Sequence, residues 1–246
     1  MTAASMPVLS VIIPAYNEAD YLPRYLPTVL AALSAWQDAT GKHGEVIVVD
    51  NDSTDGTAAV AEQFGARVVH EPTRNIGRVR NTGAGAAFGE YLFFVDADVA
   101  VPKRVFIEAT DFMAAGAAGG AVAPVYRCKR LGARLLCAYW DWYRSRSGGA
   151  QGVAQFCTAR AFWGLGGYST ELYMSEDVEF FARLRAFGEE EGRPVAVLED
   201  LTVEPSTRRY DAWPSWRMFW WQNPITARMR LNSPRFWRHW YSSTVR

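Results

Sequence analysis

The chain is poor in cysteine and has no long apolar run, and both absences exclude classes of protein. Its three cysteines are odd in number, and no two of them have the spacing of metal ligands: Cys128, Cys137 and Cys157. We therefore expect reduced, mostly buried thiols in a cytosolic protein. No basic segment followed by an apolar core opens the sequence, and no stretch of about 18 apolar residues occurs in it. We expect neither a signal peptide nor a transmembrane helix.

A net charge is absent as well, because the 26 basic residues balance the 26 acidic ones. The total therefore indicates nothing about the charge of a partner, but the distribution is uneven. Residues 206–246 hold eight Arg and one acid, Asp211, so this segment is a separate electrostatic unit. The chain has 246 residues, 49% of them hydrophobic, which is enough for one large α/β domain or two small ones.

The most informative stretch is 91–98, where an apolar and aromatic run ends in two carboxylates, Asp96 and Asp98. Such a run is typical of a strand buried on both faces in a parallel sheet, and ligands bind at the carboxyl ends of these strands. If the chain stays extended, both Asp side chains project to the same side. They would then suit one Mg²⁺ or Mn²⁺ ion. Taken alone, the pair could equally be a helix cap and a solvated loop residue.

The N-terminal part of the chain alternates strand and helix patterns. Strands are predicted at 8–14, 45–50, 67–70 and 91–95. The alternation predicts a parallel, doubly wound sheet with right-handed crossovers. Loops after strands are often polar in any case, but three of these strand ends carry acids or Asn and are expected to line one crevice: Asn17 with Glu18, Asp50 with Asp52, and Asp96 with Asp98.

Helices and strands continue in the second half of the chain. Helices are predicted at 102–115 and 131–143, and strands at 121–126, 153–158, 195–198 and 202–205. The helix at 131–143 is unusually aromatic, which indicates either core packing or a surface for an acceptor or a membrane. Ser175 is expected to cap a helix whose first turn holds Asp177, stabilised there by free amides. In the first helix, from Leu22, Pro27 predicts a kink or a later start.

Five motifs follow one another in the chain. They are SVIIPAYNE at 10–18, VVDNDSTDGT at 48–57, NIGRVRN at 75–81, FVDAD at 94–98, and GGY at 166–168 followed by SED at 175–177. With these motifs the chain resembles a family 2 glycosyltransferase of the inverting, non-processive bacterial type. The resemblance covers roughly residues 8–205 and implies the GT-A fold, a Rossmann-like, doubly wound, mostly parallel sheet with helices on both faces.

The resemblance also implies a division of the chain. Residues 1–205 would form the catalytic domain, with a nucleotide-binding half at 1–101 and an acceptor half at 102–205. Residues 206–246 would form a Trp/Arg-rich helical extension. One departure concerns the second motif, which in the family usually reads Asp-Asp-Gly-Ser and here reads Asp-Asn-Asp-Ser at 50–53.

Roles for single residues follow from the resemblance. Asp177 would be the catalytic base, and Asp98 with Asp96 would hold Mg²⁺ or Mn²⁺. The donor nucleotide would be bound by Pro14, Ala15, Glu18, Asp50, Arg78 and Asp96. Contacts to the diphosphate or the acceptor are implied for Glu176, Tyr168, Arg208 and Arg209.

The implied activity is transfer of one sugar from a nucleotide-diphosphate sugar to an acceptor hydroxyl or lipid phosphate, with inversion. A UDP sugar is the first expectation for the donor, and GDP-mannose is the second. No Gln-x-x-Arg-Trp follows Asp177, so a single transfer is expected. The alternatives are a sugar-nucleotide pyrophosphorylase and a non-catalytic sugar-nucleotide-binding module. The loop at 15–18 lacks the glycines that a pyrophosphorylase carries there.

The C-terminal segment is rich in aromatic and basic residues. Residues 213–241 hold six of the ten Trp, interspersed with Arg. This composition suits the membrane interface and its anionic lipids, so we expect peripheral membrane contact and a lipid-linked acceptor. The alternative is packing on the catalytic domain or a homodimer contact, and nucleic-acid binding is not expected. The expected location is cytoplasmic, including the inner face of the membrane.

Overall fold

The computed structural model of the chain describes residues 6–147, 150, 152–214, 216–217, 232–233 and 235, with only the backbone at 143–145 and 147. Most of the helical extension predicted at 206–246 therefore lies outside the described residues. The boundaries predicted between residues 101 and 102 and between 205 and 206 stay predictions.

Strands and helices alternate along the described chain. The strands are β1 (Leu9–Ala15), β2 (Gly44–Asp50), β3 (Arg67–His70), β4 (Tyr91–Val95), β5 (Val99–Ala100), β6 (Gly119–Pro124), β7 (Ala154–Thr158) and β8 (Val195–Pro205). The helices are α1 (Leu22–Thr40), α2 (Thr57–Gln63), α3 (Ile76–Ala86), α4 (Val105–Ala114), α5 (Leu131–Ser147), α6 (Ala159–Gly164), α7 (Glu176–Glu191) and α8 (Arg208–Ala212).

The strands form one mixed sheet in the order β3-β2-β1-β4-β7-β6-β8-β5. The first four are parallel, as the alternating pattern predicted, and β6 is parallel to β8. The strand β7 lies antiparallel between β4 and β6, and β5 is antiparallel to β8. The predicted α/β class and the mostly parallel sheet are confirmed.

Helices cover both faces of the sheet because the buried strands are apolar on both sides. On one face, Val11 and Phe93 pack with Trp36 of α1 and Phe106 of α4. The opposite face packs against α3, α6 and α7 through a second buried cluster that includes Ile12, Phe94, Val79, Phe162 and Phe180. These two layers hold the carboxyl ends of β1, β2 and β4 in fixed positions at one edge.

Several boundaries differ from the sequence predictions. The helix α1 begins at Leu22 and contains Pro27, so a later start is wrong. The strands predicted at 195–198 and 202–205 are one strand, β8, whose register against β6 shifts between Val122 and Ala123. Two short elements, β5 and α6, were not predicted because each is too short to show a periodic pattern.

The predicted capping role of Ser175 is wrong in one respect. Ser175 does stand at the N-cap position of α7, but its side chain makes no capping hydrogen bond. Its backbone is left-handed, with φ of 62°, whereas a capping serine normally has an extended backbone. Two glycines earlier in the same connection are also left-handed, with φ of 75° at Gly166 and 73° at Gly167.

The described helices also bear on the question of membrane spans. In the part of the chain that the structure describes, no helix combines the length and the apolar character needed to cross a membrane.

The close packing of α3 on the sheet gives a first prediction. A Cβ added at Gly83 would lie 2.4 Å from Ile12 Cγ2, whereas one at Gly85 would have no atom of the described residues within 4 Å. We expect Gly83→Ala to lower the free energy of unfolding by about 1–2 kcal/mol, since overpacking outweighs the helix propensity gained. Gly85→Ala, in the same helix, should raise it by up to about 1 kcal/mol. Urea unfolding measures both, and equal effects would contradict the close approach.

Candidate active site

The predicted crevice lies where β1, β2 and β4 end, because these strands are parallel neighbours and share one edge. Hydrogen bonds join the loops that follow β1 and β2. The backbone N of Glu18 donates to Thr57 Oγ1 at 2.8 Å, and the backbone N of Thr54 donates to Asn17 Oδ1 at 2.8 Å. The two loops therefore form one continuous wall of the crevice.

The loop after β2 keeps a left-handed turn although it lacks the glycine of the family motif. Asp52, which stands at the glycine position, has φ of 56°. Asn17 in the facing loop has φ of 52°. Asn and Asp tolerate this conformation better than other non-glycine residues. The departure in the second motif is thus accommodated by a residue type suited to the turn.

Asp50 is buried at the end of β2, and its Oδ1 has no hydrogen-bond partner among the residues that the structure describes. The next residue, Asn51, was not predicted as important. Its Nδ2 donates to the carbonyls of Glu71 at 2.6 Å and Thr73 at 2.8 Å, which ties the loop after β3 to this wall. A buried carboxylate oxygen without a donor is costly unless a ligand supplies one. The contact predicted between Asp50 and the donor base stays a prediction.

A buried arginine joins the two halves of the crevice. Arg80 of α3 is 2% exposed. Its Nη2 lies 2.9 Å from Asp96 Oδ1 after β4, and its Nη1 lies 2.6 Å from Glu176 Oε1 at the start of α7. Its guanidinium carbon is 5.2 Å from the centre of the Tyr168 ring. Arg80 therefore fixes the end of β4 relative to the helix that carries Asp177.

Burial raises the pKa of both carboxyl partners. The pKa of Asp96 is raised to about 6 because burial disfavours its charge more than Arg80 stabilises it. Burial and the neighbouring Asp177 also raise the pKa of Glu176. The attraction of Arg80 opposes both shifts. One guanidinium thus offsets part of the desolvation of two carboxylates.

Asp177 is held by hydrogen bonds to β7 and to the segment before it. Its Oδ2 accepts from the backbone N of Gly152 at 2.5 Å, and its backbone carbonyl accepts from Gln155 Nε2 at 3.0 Å. A Cβ at position 152 would lie 2.2 Å from the Cβ of Asp177, so only glycine permits this approach. Gln155 in turn accepts a hydrogen bond from the Tyr168 hydroxyl at 3.0 Å.

A second arginine, from the start of α8, reaches the crevice on the side of β1. Arg208 Nη1 lies 2.8 Å from Glu18 Oε2, and its Nη2 lies 3.3 Å from Asp98 Oδ2. The guanidinium stacks over Tyr21, with 3.8 Å from its carbon to the ring centre. Burial raises the pKa of Glu18, and Arg208 opposes that shift. The C-terminal segment thus contributes a cation beside a predicted metal ligand.

The other predicted residues lie around these two clusters. Pro14 and Ala15 are the buried last residues of β1. Arg78 is exposed on α3, two residues before the buried Arg80. Tyr168 is buried and stacks on Phe180, with ring centres 4.3 Å apart, and Arg209 is half-buried near Asp98 and Glu18 on α8.

The predicted metal pair differs in one detail from the expectation. The chain does not stay extended after β4, because it turns at 96–99, with the backbone N of Val99 donating to the carbonyl of Asp96 at 3.2 Å. No group of three or more His, Cys, Asp and Glu able to hold a metal occurs among the described residues. Asp96 and Asp98 are nevertheless half-buried carboxylates, and Mg²⁺ and Mn²⁺ prefer such hard oxygen ligands.

Sequence reasoning missed Arg80, Asn51 and the pairing of Glu18 with Arg208. Arg80 had a local signal, because it falls on the helix face that also holds Val79, Gly83 and Ala84, which are buried against the sheet. The Glu18–Arg208 pair had none, since the two residues are 190 positions apart.

Comparisons with known proteins point to one family. A model of a protein family described as "Glycosyl transferase family 2" matches residues 10–149. The Haloferax volcanii protein named glycosyltransferase AglE is 33% identical over 111 residues, which are 43% of this chain and 34% of AglE. The chain therefore spans about a third of the length of that relative.

Solved structures share the fold. The mannosyltransferase PcManGT from Pyrobaculum calidifontis, in complex with GDP-Man and Mn²⁺, has a TM-score of 0.67 and 23% identity over 87% of this chain and 61% of its own. S. aureus TarS in complex with UDP-GlcNAc has a TM-score of 0.60 and 20% identity over 80% of this chain and 58% of its own. At these identities the similarity establishes the fold alone, which is GT-A.

The buried ion pairs of Arg80 give the second prediction. We expect Arg80→Leu to lower the free energy of unfolding by about 3–5 kcal/mol, because Asp96 and Glu176 would stay buried without a cation. Arg80→Lys, which keeps the charge but not the planar fork, should lose less. The control is Arg160→Leu, which breaks an exposed pair and should change stability little. Urea unfolding that finds Arg80→Leu as stable as the control would contradict the bridging role.

Proposed function

The chain belongs to glycosyl transferase family 2, and from this we propose that it transfers one sugar from a nucleotide-diphosphate sugar to an acceptor hydroxyl or lipid phosphate, with inversion. The observation that carries the proposal is the crevice itself. Asp50, Asp98 and the start of α7 with Asp177 surround one edge of the sheet, and Arg80 links the two sides. Family membership favours a transferase over the pyrophosphorylase alternative.

The donor would bind along the ends of β1 and β2. The buried Asp50 Oδ1 accepts no hydrogen bond from the described part of the chain and suits an N–H group on a nucleobase edge. Pro14, Ala15 and Glu18 would border the nucleoside. We propose a UDP sugar first, as in the TarS complex, and GDP-mannose second, since PcManGT was solved with GDP-Man.

Asp98 and Asp96 would hold Mg²⁺ or Mn²⁺ at the donor diphosphate, as their hard oxygen donors suit. Such an ion supplies stabilisation of the negative charge on the leaving diphosphate. Arg208 lies 3.3 Å from Asp98 and offers a second positive charge at the same place. We propose that Arg208 turns from Asp98 toward the diphosphate when the donor binds, with Arg209 beside it.

Asp177 would be the base. As the bond between the anomeric carbon and the diphosphate oxygen breaks, its electron pair leaves with the diphosphate. The acceptor oxygen forms the new bond from the opposite face, and its proton passes to the Asp177 carboxylate. Because this single displacement comes from the face opposite the leaving group, it inverts the configuration of the anomeric carbon. The hydrogen bond from the Gly152 backbone N orients Asp177 Oδ2 for this role.

The acceptor side is proposed from the C-terminal segment. Peripheral contact of the Trp/Arg-rich extension with the cytoplasmic face of a membrane would favour a lipid-linked acceptor. Packing of the extension in a homodimer is the other proposal for its role.

The first test of this function measures nucleotide binding. Calorimetry with UDP and GDP, each with Mn²⁺ and with EDTA, should find metal-dependent binding of one nucleotide. Asp98→Ala should abolish this metal-dependent binding, because it removes a metal ligand. Asp20→Ala, at an exposed position, is the control and should bind normally. If neither nucleotide binds under any condition, the proposed donor site is wrong.

A second test concerns the base. Asp177→Asn keeps the shape and can still accept the Gly152 hydrogen bond, but it cannot take a proton. With a hydroxyl acceptor, transfer should fall about 10²–10⁴-fold while nucleotide binding is unchanged. The control is Glu190→Gln, an exposed carboxylate at the far end of the same helix. An unchanged transfer rate in Asp177→Asn would contradict its assignment as the base.

A further inference from the structure

The helix α5 has apolar residues on both of its faces. On the inner face, Ala133, Leu136 and Cys137 are buried. On the outer face, four large side chains recur at intervals of three or four residues and form what we name the α5 stripe: Leu131, Leu135, Tyr139 and Trp142. Their exposed fractions are 68%, 65%, 37% and 54%. The inner face packs on the domain, whereas the α5 stripe is exposed.

The concentration of apolar surface on one helix is unusual for an outward face. Ten large hydrophobic side chains are exposed in the described part of the chain, and four of them belong to the α5 stripe. A surface helix normally turns polar residues outward, and a contiguous apolar patch indicates a binding surface. At 1.5 Å per residue, the stripe is about 16 Å long and lies along a single straight element.

The charges around the α5 stripe indicate an anionic partner. The stretch 129–147 contains five basic residues and one acid, Asp141. Arg134 and Arg146 are both exposed on α5, and the Arg146 guanidinium carbon lies 5.4 Å from the centre of the Trp142 ring. Apolar, aromatic and basic side chains on one helical face match the acyl boundary and the anionic headgroups of a bilayer.

The described start of the C-terminal extension lies at the N-terminal end of α5. Arg130 Nη1 donates to the carbonyls of Asp211 at 3.3 Å and Trp213 at 3.2 Å. Trp216, shortly after, is 73% exposed. The described start of the Trp/Arg-rich extension therefore lies beside the N-terminal end of the α5 stripe.

From these observations we propose that the α5 stripe docks the protein on an anionic lipid bilayer. The helix lies parallel to the surface, with Leu131, Leu135 and Trp142 at the acyl boundary and with Arg134 and Arg146 at the lipid phosphates. The surface is distinct from the extension and is present on the folded domain. The docking would bring a lipid-linked acceptor close to α8, whose Arg208 lies in the crevice. This consequence rests on the proposed function.

The experiment is sedimentation of the full chain with vesicles of phosphatidylcholine alone and of phosphatidylcholine mixed with phosphatidylglycerol. The wild type should bind the anionic vesicles, and high salt should weaken binding because it screens the arginines. The double variant Leu135→Ser/Trp142→Ala should bind more weakly by on the order of tenfold. Arg134→Ser should lower binding to the anionic vesicles but not to the vesicles of phosphatidylcholine alone.

The matched control removes similar apolar area elsewhere. Phe88 and Trp163 are 58% and 54% exposed, so Phe88→Ser/Trp163→Ala should bind vesicles like the wild type. Circular dichroism confirms that each variant is folded. Nucleotide binding without vesicles tests the proposed function separately, so its failure would leave the lipid result standing.

Three outcomes would overturn the docking proposal. In the first outcome, the wild type does not bind anionic vesicles. In the second, the α5 variant binds as well as the wild type, which assigns the contact to another surface. In the third, size-exclusion chromatography finds self-association that the α5 variant loses while vesicles are not bound, which makes the stripe an interface between copies of the chain.

Discussion

One buried guanidinium determines how the two sides of the crevice stand relative to each other. Arg80 contacts Asp96 at the end of β4 and Glu176 at the start of α7, with almost no exposure to water. Removing three charged groups from water is costly, and the pairing is favourable only when the geometry is well fixed. The position of Asp177, the residue after Glu176, is therefore tied to the central strand through α3.

The same requirement for a cation applies to Arg208, at the start of the C-terminal segment. Glu18 and Asp98 lie together on the other side of the crevice, and Arg208 is the cation between them. Without it, two carboxylates would face each other in a poorly solvated place. The crevice is thus an acidic site whose charges are balanced by arginines from two different elements. A donor diphosphate would compete with the carboxylates for the arginines. A divalent ion would compete with the arginines for the carboxylates.

The predicted and the missed parts of the structure differ in the range of the interactions that form them. The strands β1, β2 and β4 were predicted because a buried strand must be apolar on both faces, which is visible in a few consecutive residues. Ser175 has the right residue type for a cap, yet its backbone is left-handed and its side chain makes no capping hydrogen bond. The strand β8 was divided in two because its irregular register follows β6, not its own sequence.

The sequence by itself determined the order of strands and helices, the polar strand ends and the family resemblance, since these depend on local periodicity and on short motifs. Tertiary structure alone decided which charges meet. Arg80 and Glu176 are 96 positions apart, and Glu18 and Arg208 are 190 apart. Any of several arginines could have served each carboxylate on the basis of sequence. The packing of α3, α7 and α8 around the sheet selects the pairs, because buried charges are stable only where the fold brings opposite charges within contact distance.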